Sequence, residues 1–463
     1  MNFFSTVAQK PDGIPIILCD EADWAAKKLN DSIENQNEIY KFQGKGFQVF
    51  TETDEQGNLA RVYAGTEFET DDPRNWVILF AKLATELPDK VYFIENIPEG
   101  RLYDAMLGWG LAHYRFSEFK SDSADLEPNV LQVDKDAPVK AINDALKAVF
   151  KGRDLINTPA NLLTTLTMAK VVEDLAKEHG AEFQLTKGAD LLLEGFPAIY
   201  EVGKGSPSPA ALLDLTWGKD THPKVTLVGK GVVFDTGGNN LKPASGMRNM
   251  KKDMGGAAVA ISLAQLIMDQ ELPVRLRLLV PTVENNPGWH GYRPGDIIKT
   301  RKGLSVEIEN TDAEGRVILC DALALAVEED PDLLIDFATL TGAARVALGE
   351  DLPACYAADN ALMSELMEAS EHVREPLWHM PIWEPYRKHL NSDVADMQNA
   401  ANTPLAGSIT ASLYLWDFVK PYKNWIHIDM FGWRNTGMPG YPKGAASSAL
   451  RAVFKFLENR YRD

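Results

Sequence analysis

Seven charged residues between positions 230 and 316 have the types and spacing that reaction chemistry needs. They are Lys230, Asp235, Lys242, Asp253, Asp312, Glu314 and Arg316. Lys230 and Asp235 close an apolar run that begins at Val225, and Asp253 opens the helical pattern that follows. Asp312 and Glu314 end a hairpin pattern that reaches Asn310. Four carboxylates and one amine are therefore expected at one edge of one sheet. None of the 8 histidines lies in these segments.

Clustered carboxylates are costly unless something positive neutralises them, because each unpaired buried charge costs several kcal/mol. Two divalent metals would cancel four such charges. Carboxylates are hard ligands and can bridge two ions. A metal pair suits hydrolysis: one ion lowers the pKa of a shared water while the other polarises the bond under attack. Each acid alone has a plainer explanation as a solvated loop residue or a helix cap. Asp253, just before Gly255 and Gly256, fits an N-cap.

The cations divide into two kinds. Lys230 lies in Gly229-Lys230-Gly231 directly after the strand pattern. The third glycine of a dinucleotide turn is not in place, which weakens a nucleotide reading. Lysine ligates a metal only when neutral, so bound ions would have to depress its pKa strongly. Lys242 stays available as a cation to stabilise the oxyanion of a tetrahedral intermediate. Arg316 is able to hold an anion near an attacking water. A salt bridge to the acidic cluster is the alternative for both Lys242 and Arg316.

The elements that must position these groups alternate in type. Residues 225–235, 274–285, 333–340 and 425–430 read as strands, and 256–269, 317–329 and 445–460 as helices. Residues 297–310 carry an Arg-Lys-Gly turn and read as a hairpin. Strands alternating with helices predict a mostly parallel sheet covered on both faces, with ligands beyond the carboxyl ends of its strands. Residues 1–135 give a smaller α/β pattern, with strands over 13–18, 47–52 and 91–96 and helices over 75–87 and 103–114. A polar stretch, 121–129, follows it. The expected class is α/β throughout. A linker helix over 136–155 joins the N-terminal domain, 1–135, to a C-terminal catalytic domain, 156–463.

Composition sets the outer limits. At 463 residues, two domains are the natural expectation. An excess of 66 acidic over 47 basic residues leaves a net charge of −19. Such a surface repels nucleic-acid phosphates and anionic lipid. No uncharged apolar stretch approaches the roughly 18 residues of a membrane helix, and the first residues do not read as a signal peptide. Cys19, Cys320 and Cys355 are odd in number and widely spaced, which fits a reducing cytoplasm better than a disulfide framework. Cys320 lies in an apolar helix pattern and reads as a core residue.

The run Asn310 to Arg316 (NTDAEGR) resembles the hallmark of the leucyl, or cytosol, aminopeptidase family. Collinear blocks strengthen the resemblance: VGKGVVFDTGG at 228–238, LKP at 241–243, MKKDMGGAA at 250–258, ENNPG at 284–288, RPGD at 293–296, LTGA at 340–343 and AGSITASLYL at 406–415. It is dense from about Arg153 onward. In the N-terminal part, GWGLAHYRFSEFK at 108–120 is similar.

The resemblance implies a metal-dependent aminopeptidase that removes the N-terminal residue of peptides by attack of a hydroxide held between two metals. Lys230, Asp235, Asp253 and Glu314 match ligands of the tightly held ion, and Asp235, Asp312 and Glu314 those of the exchangeable one. Zinc, manganese and magnesium are the implied metals. Lys242 and Arg316 match the two catalytic positions. Arg316 would hold a bicarbonate base, with backbone near Leu340 assisting. Met250, Asn310, Thr339, Leu340 and Gly342 match substrate- or anion-binding positions. A homohexamer acting on peptides with a free N-terminus is implied; the cytoplasmic setting, and the expectation of no membrane or nucleic-acid partner, come from the cysteines, the charge and the lack of a membrane-length apolar run.

The sequence departs from the family at 427–434 (HIDMFGWR), where a small residue before glycine is usual. Phe431 is expected to shrink the side-chain pocket and Arg434 to place a charge in it. Two competing functions stand beside this one: a non-catalytic DNA-binding or scaffold role, which the net charge opposes, and a two-metal hydrolase of another bond.

Overall fold

The computed structural model describes residues 2–7, 11–27, 31–121 and 128–462. Most of the polar stretch at 121–129 lies outside them. The chain divides into two units: Met1–Lys147 with Thr436–Lys443, and Ala148–Asn435 with Gly444–Asp463. The helix Val139–Asn157 spans the point of division in the sequence.

The first unit holds a six-stranded sheet in the order Phe4–Val7, Val130–Asp134, Val91–Ile94, Ile14–Cys19, Leu59–Gly65, Val49–Thr53. All neighbours are parallel except the last pair. Its longest apolar helix, Asn75–Glu86, buries Val77, Leu79, Phe80 and Leu83.

The second unit is built on a nine-stranded sheet. Its centre is parallel: β1 (Lys224–Gly229), β2 (Gly231–Asp235), β3 (Arg275–Asn285), β4 (Leu333–Ala338) and β5 (Trp425–Asp429). Antiparallel strands flank it, Ala211–Trp217 against β3 and Ala354–Ala357 against β5. The central strands are near-continuous apolar runs, as strands covered on both faces must be. Helix α1 (Gly255–Asp269) is buried from Gly255 to Met268, so its apolar residues surround it rather than forming one stripe. Helix α2 (Glu314–Glu328) follows the site loop.

Two expectations are corrected here. The run 225–235 is not one strand but two, β1 and β2, divided at Lys230. The register against β3 runs on from β1 into the start of β2, which sets Pro281 opposite Lys230, and it shifts between Val232 and Phe234. Proline has no N–H to give a ladder. The Lys230 backbone turns elsewhere: its N–H donates to Phe337 O at 2.9 Å, and its carbonyl accepts from Ala257 N at 2.8 Å. Second, Glu314 does not end the hairpin strand. That hairpin pairs Ile297–Lys299 with Ser305–Glu307, and Glu314 is the first residue of α2.

Candidate active site

The carboxyl ends of β1, β2 and β4 and the N-termini of α1 and α2 converge on one cavity of about 280 Å³. Lys230, Asp235, Lys242, Met250, Asp253, Asp312, Glu314, Thr339, Leu340 and Gly342 all line it. Lys230 Nζ stands 2.8 Å from Asp253 Oδ2 and 2.9 Å from Glu314 Oε1, and donates to Thr339 O at 3.0 Å. Lys242 Nζ stands 2.7 Å from Asp235 Oδ2 and also contacts Asp312 Oδ1.

Each acid is held by its own local structure. Asp235 Oδ1 accepts from Gly237 N and Asn285 Nδ2, both at 2.8 Å. Asp253 lies in the short 3-10 turn Met250–Met254, and Thr339 Oγ1 donates to its Oδ1 at 2.9 Å. The helix cap is Met254 and has no side-chain cap bond, so the plain N-cap explanation of Asp253 fails. The loop 310–313 is folded by Asn310 Oδ1, which accepts from Asp312 N at 2.8 Å. Thr311 N donates to Asn240 Oδ1 at 2.9 Å, and Tyr292 Oη donates to Thr311 O at 2.7 Å.

The electrostatics follow from four acids meeting two lysines. Burial, with Glu314 next, pushes Asp235 up to about 7. Burial pushes Asp253 up to about 7 against the pull of Lys230. Burial and Glu314 also raise Asp312. Burial would raise Glu314, but Lys230 and Lys242 together hold it at about 2. Burial opposes the charge on both lysines; Asp253 and Glu314 at Lys230, and Asp235 and Glu314 at Lys242, outweigh it and keep both ammonium groups charged.

The donor set fits divalent cations. Asp235, Asp312 and Glu314 bring one carboxylate oxygen each within 4.8 Å of one another. Asp253 Oδ2, Asp312 Oδ1 and Glu314 Oε1 are buried, and the ion partners they have are the ammonium groups of Lys230 and Lys242. Hard, oxygen-rich sites of this kind suit magnesium, manganese and zinc.

A family model described as the cytosol aminopeptidase family, catalytic domain, matches residues 151–454. The chain belongs to the cytosol aminopeptidase family. It is a metal-dependent aminopeptidase, a hydrolase. A second model, the M17 aminopeptidase N-terminal domain, matches residues 22–131, far more of that unit than the run at 108–120. A probable cytosol aminopeptidase of Roseiflexus castenholzii is 36% identical over 416 residues, covering 84% of each chain. One of Syntrophotalea carbinolica is 39% identical over 364 residues, covering 75% of this chain and 73% of the relative. The crystal structure of the Coxiella burnetii cytosol aminopeptidase is 42% identical and covers 100% of both chains with a TM-score of 0.92. The bottromycin maturation enzyme BotP in complex with Mn is 28% identical and covers 97% of this chain and 99% of its own, with a TM-score of 0.87.

Two positions matched by the family resemblance do not line the cavity. Asn310 works within the loop. Arg316 is buried, donates from Nη1 to Asn399 O at 2.9 Å, and leaves Nε without a hydrogen bond. Burial lowers its pKa, opposed by Tyr414. The Leu340 amide is engaged by Asp429 Oδ1 at 3.0 Å rather than free for an anion.

The pocket wall is also corrected. Arg434 does not line the cavity, and its Nη1 is ion-paired with Asp351 Oδ1. Phe431 does line it, and two other cations accompany it: Lys252 and Arg345. Burial lowers Lys252 to about 8, with Asp253 pulling the other way. Sequence reasoning missed these two, and it missed Asn285, Tyr292 and Asn399. Asn285 lies within the ENNPG block; the others stand alone in their segments, with no spacing to flag them.

Proposed function

We propose that the cluster is a two-metal centre that hydrolyses the first peptide bond of substrates with a free N-terminus. Lys230, Asp235, Asp253, Asp312 and Glu314 would hold two divalent ions. Zinc, manganese or magnesium fits the donors, and the manganese complex of BotP supports manganese. Such a pair supplies an activated water and polarises the scissile carbonyl.

The remaining residues do the positioning. Lys242 keeps its charge on a long stem at the cavity wall and donates to the oxygen that becomes negative at the carbonyl carbon. Arg316, through its unengaged Nε, would hold a carboxylate-like anion such as bicarbonate, which would supply a base for proton transfer. The observation that carries this reading is the gathering of four carboxylates around two lysines, with one oxygen each of Asp235, Asp312 and Glu314 within 4.8 Å of one another. Family resemblance supports a cytoplasmic homohexamer and a catalytic domain over 156–463.

A panel of aminoacyl amides assayed with defined added metals tests the reading. Free-amine substrates are cleaved and their N-acetylated forms are not. Equal cleavage of both would overturn it.

A further inference from the structure

The cavity holds two cations that the metal-centre chemistry does not use. Lys252 is 6% exposed and lies beside Asp253 in the 3-10 turn Met250–Met254. Arg345 lies one turn into the helix Gly342–Leu348. These are the elements that carry the pocket positions Met250 and Gly342. The two cations bracket one ring: Lys252 Nζ is 5.1 Å and Arg345 Cζ 5.0 Å from the centroid of Phe431.

Their lack of acidic partners sets them apart. Lys230 and Lys242 each touch two carboxylates. Among the described residues, neither the Lys252 nor the Arg345 side chain makes an ion pair or a hydrogen bond; each has only the face of Phe431. This holds in a chain whose acids outnumber its bases 66 to 47. Asp253 and Asp429 act on Lys252 through space without touching it; a buried ammonium that no carboxylate contacts is costly, and a ring face offsets only part of that cost.

We propose that this pocket selects N-terminal residues with acidic side chains, aspartate and glutamate, through Lys252 and Arg345. The proposal rests on the aminopeptidase reading of the same site. A side-chain carboxylate reaching past Met250 would receive charge-assisted hydrogen bonds from both cations, with the Arg345 fork able to bind it in two-point fashion. Phe431 closes the apolar space that a leucine side chain needs, and leaves the cations as its edge. Leucine would seal Lys252 against hydrocarbon without a partner. Lysine or arginine would meet like charge. The pocket thus attracts one class and repels two.

The test is kcat/KM of the manganese-loaded protein on 4-nitroanilides of glutamate, aspartate, glutamine, leucine and lysine. These substrates carry no other carboxylate, so the C-terminal carboxylate of a dipeptide is excluded as the recognised group. Glutamate or aspartate should exceed leucine, and glutamine should fall about tenfold or more below glutamate, the worth of a charged hydrogen bond. Arg345 is exposed, so Arg345→Gln tests the idea in a folded protein. It should lower the glutamate-to-leucine ratio about tenfold, as should Lys252→Met. Arg345→Glu should shift preference toward lysine. Leucine preferred over glutamate, with that ratio unmoved in Arg345→Gln, overturns this proposal alone. Cleavage of no free-amine substrate overturns the peptidase reading and this one with it.

Discussion

The end of the Lys230 side chain lies across the bare Cα of Gly315. A methyl group there would stand 2.5 Å from Lys230 Nζ and as close to its terminal carbons. The glycine of the NTDAEGR run therefore makes room for the lysine that joins Asp253 to Glu314. The colliding atoms belong to the flexible end of a side chain, so Gly315→Ala should fold. Its cost falls on the geometry of Nζ. Activity should drop about 10- to 100-fold, with metal affinity falling in parallel, as when an orienting contact of a metal ligand is lost. Circular dichroism and metal titration check this; unchanged metal affinity would refute the role assigned to the glycine.

Metal loading should release protons. Lys230 is held charged by Asp253 and Glu314, and a lysine must be neutral to ligate. Calorimetry of manganese binding to chelator-stripped protein, in buffers of different ionisation enthalpy, should report about one proton or more released per subunit near pH 7. Chelation should abolish activity, and manganese or zinc should restore it. Binding with no proton release would remove Lys230 from the ligand set.

Lys242→Ala distinguishes a catalytic cation from a counter-ion. If Lys242 stabilises the developing oxyanion, kcat should fall about 10²- to 10³-fold with little change in KM. Metal affinity should be kept or improved, because Asp235 and Asp312 lose a competing ammonium. A variant with full kcat would leave Lys242 as a structural salt bridge.

Much of this site was legible in the sequence because the central strands are continuous apolar runs, and a charge at the end of such a run marks a sheet edge. Asp235 and Asp253 could be set on that edge by pattern alone. The division at Lys230 could not, since it depends on the Phe337 carbonyl in β4 and on Pro281 in β3. Glu314 falls in α2 rather than the hairpin because the strand already ends at Glu307 and the Asx turn at Asn310 folds the loop that leads into the helix. Arg434 was expected in the pocket, but Asp351 draws it away. Lys252 and Arg345 come from segments some ninety residues apart and meet only through Phe431. Local pattern records which face a residue takes, not which distant side chain claims it.

Asn399 is the least conspicuous residue that the loop depends on. Its Oδ1 accepts from Glu309 N at 2.8 Å, its Nδ2 donates to Asn310 O at 2.7 Å, and its carbonyl accepts from Arg316 Nη1 at 2.9 Å. It is fully buried. Asn399→Ala strands the part-buried Glu309 N–H and Asn310 carbonyl, which costs about 1–3 kcal/mol for the pair. Urea denaturation should show a lowered midpoint, and kcat/KM should fall because the 310–313 loop loses its clamp. A variant with native stability would mean that water replaces the amide.

His427 and Asp336 form a buried pair behind the sheet edge, with Nδ1 and Oδ1 2.6 Å apart. Burial disfavours the imidazolium, but the Asp336 carboxylate outweighs it and raises the His427 pKa above its ordinary value near 6.5. The folded protein therefore binds this proton more tightly than the unfolded chain does. The pair's contribution to stability is complete below about pH 6.5 and is lost as pH rises through the higher folded-state value. The stability difference between the native protein and His427→Gln should accordingly be largest in mildly acidic solution and shrink as the medium becomes alkaline. Denaturant midpoints measured across that range decide the matter. A difference that stays constant with pH would mean that His427 is neutral in the folded protein and acts only through its hydrogen bond.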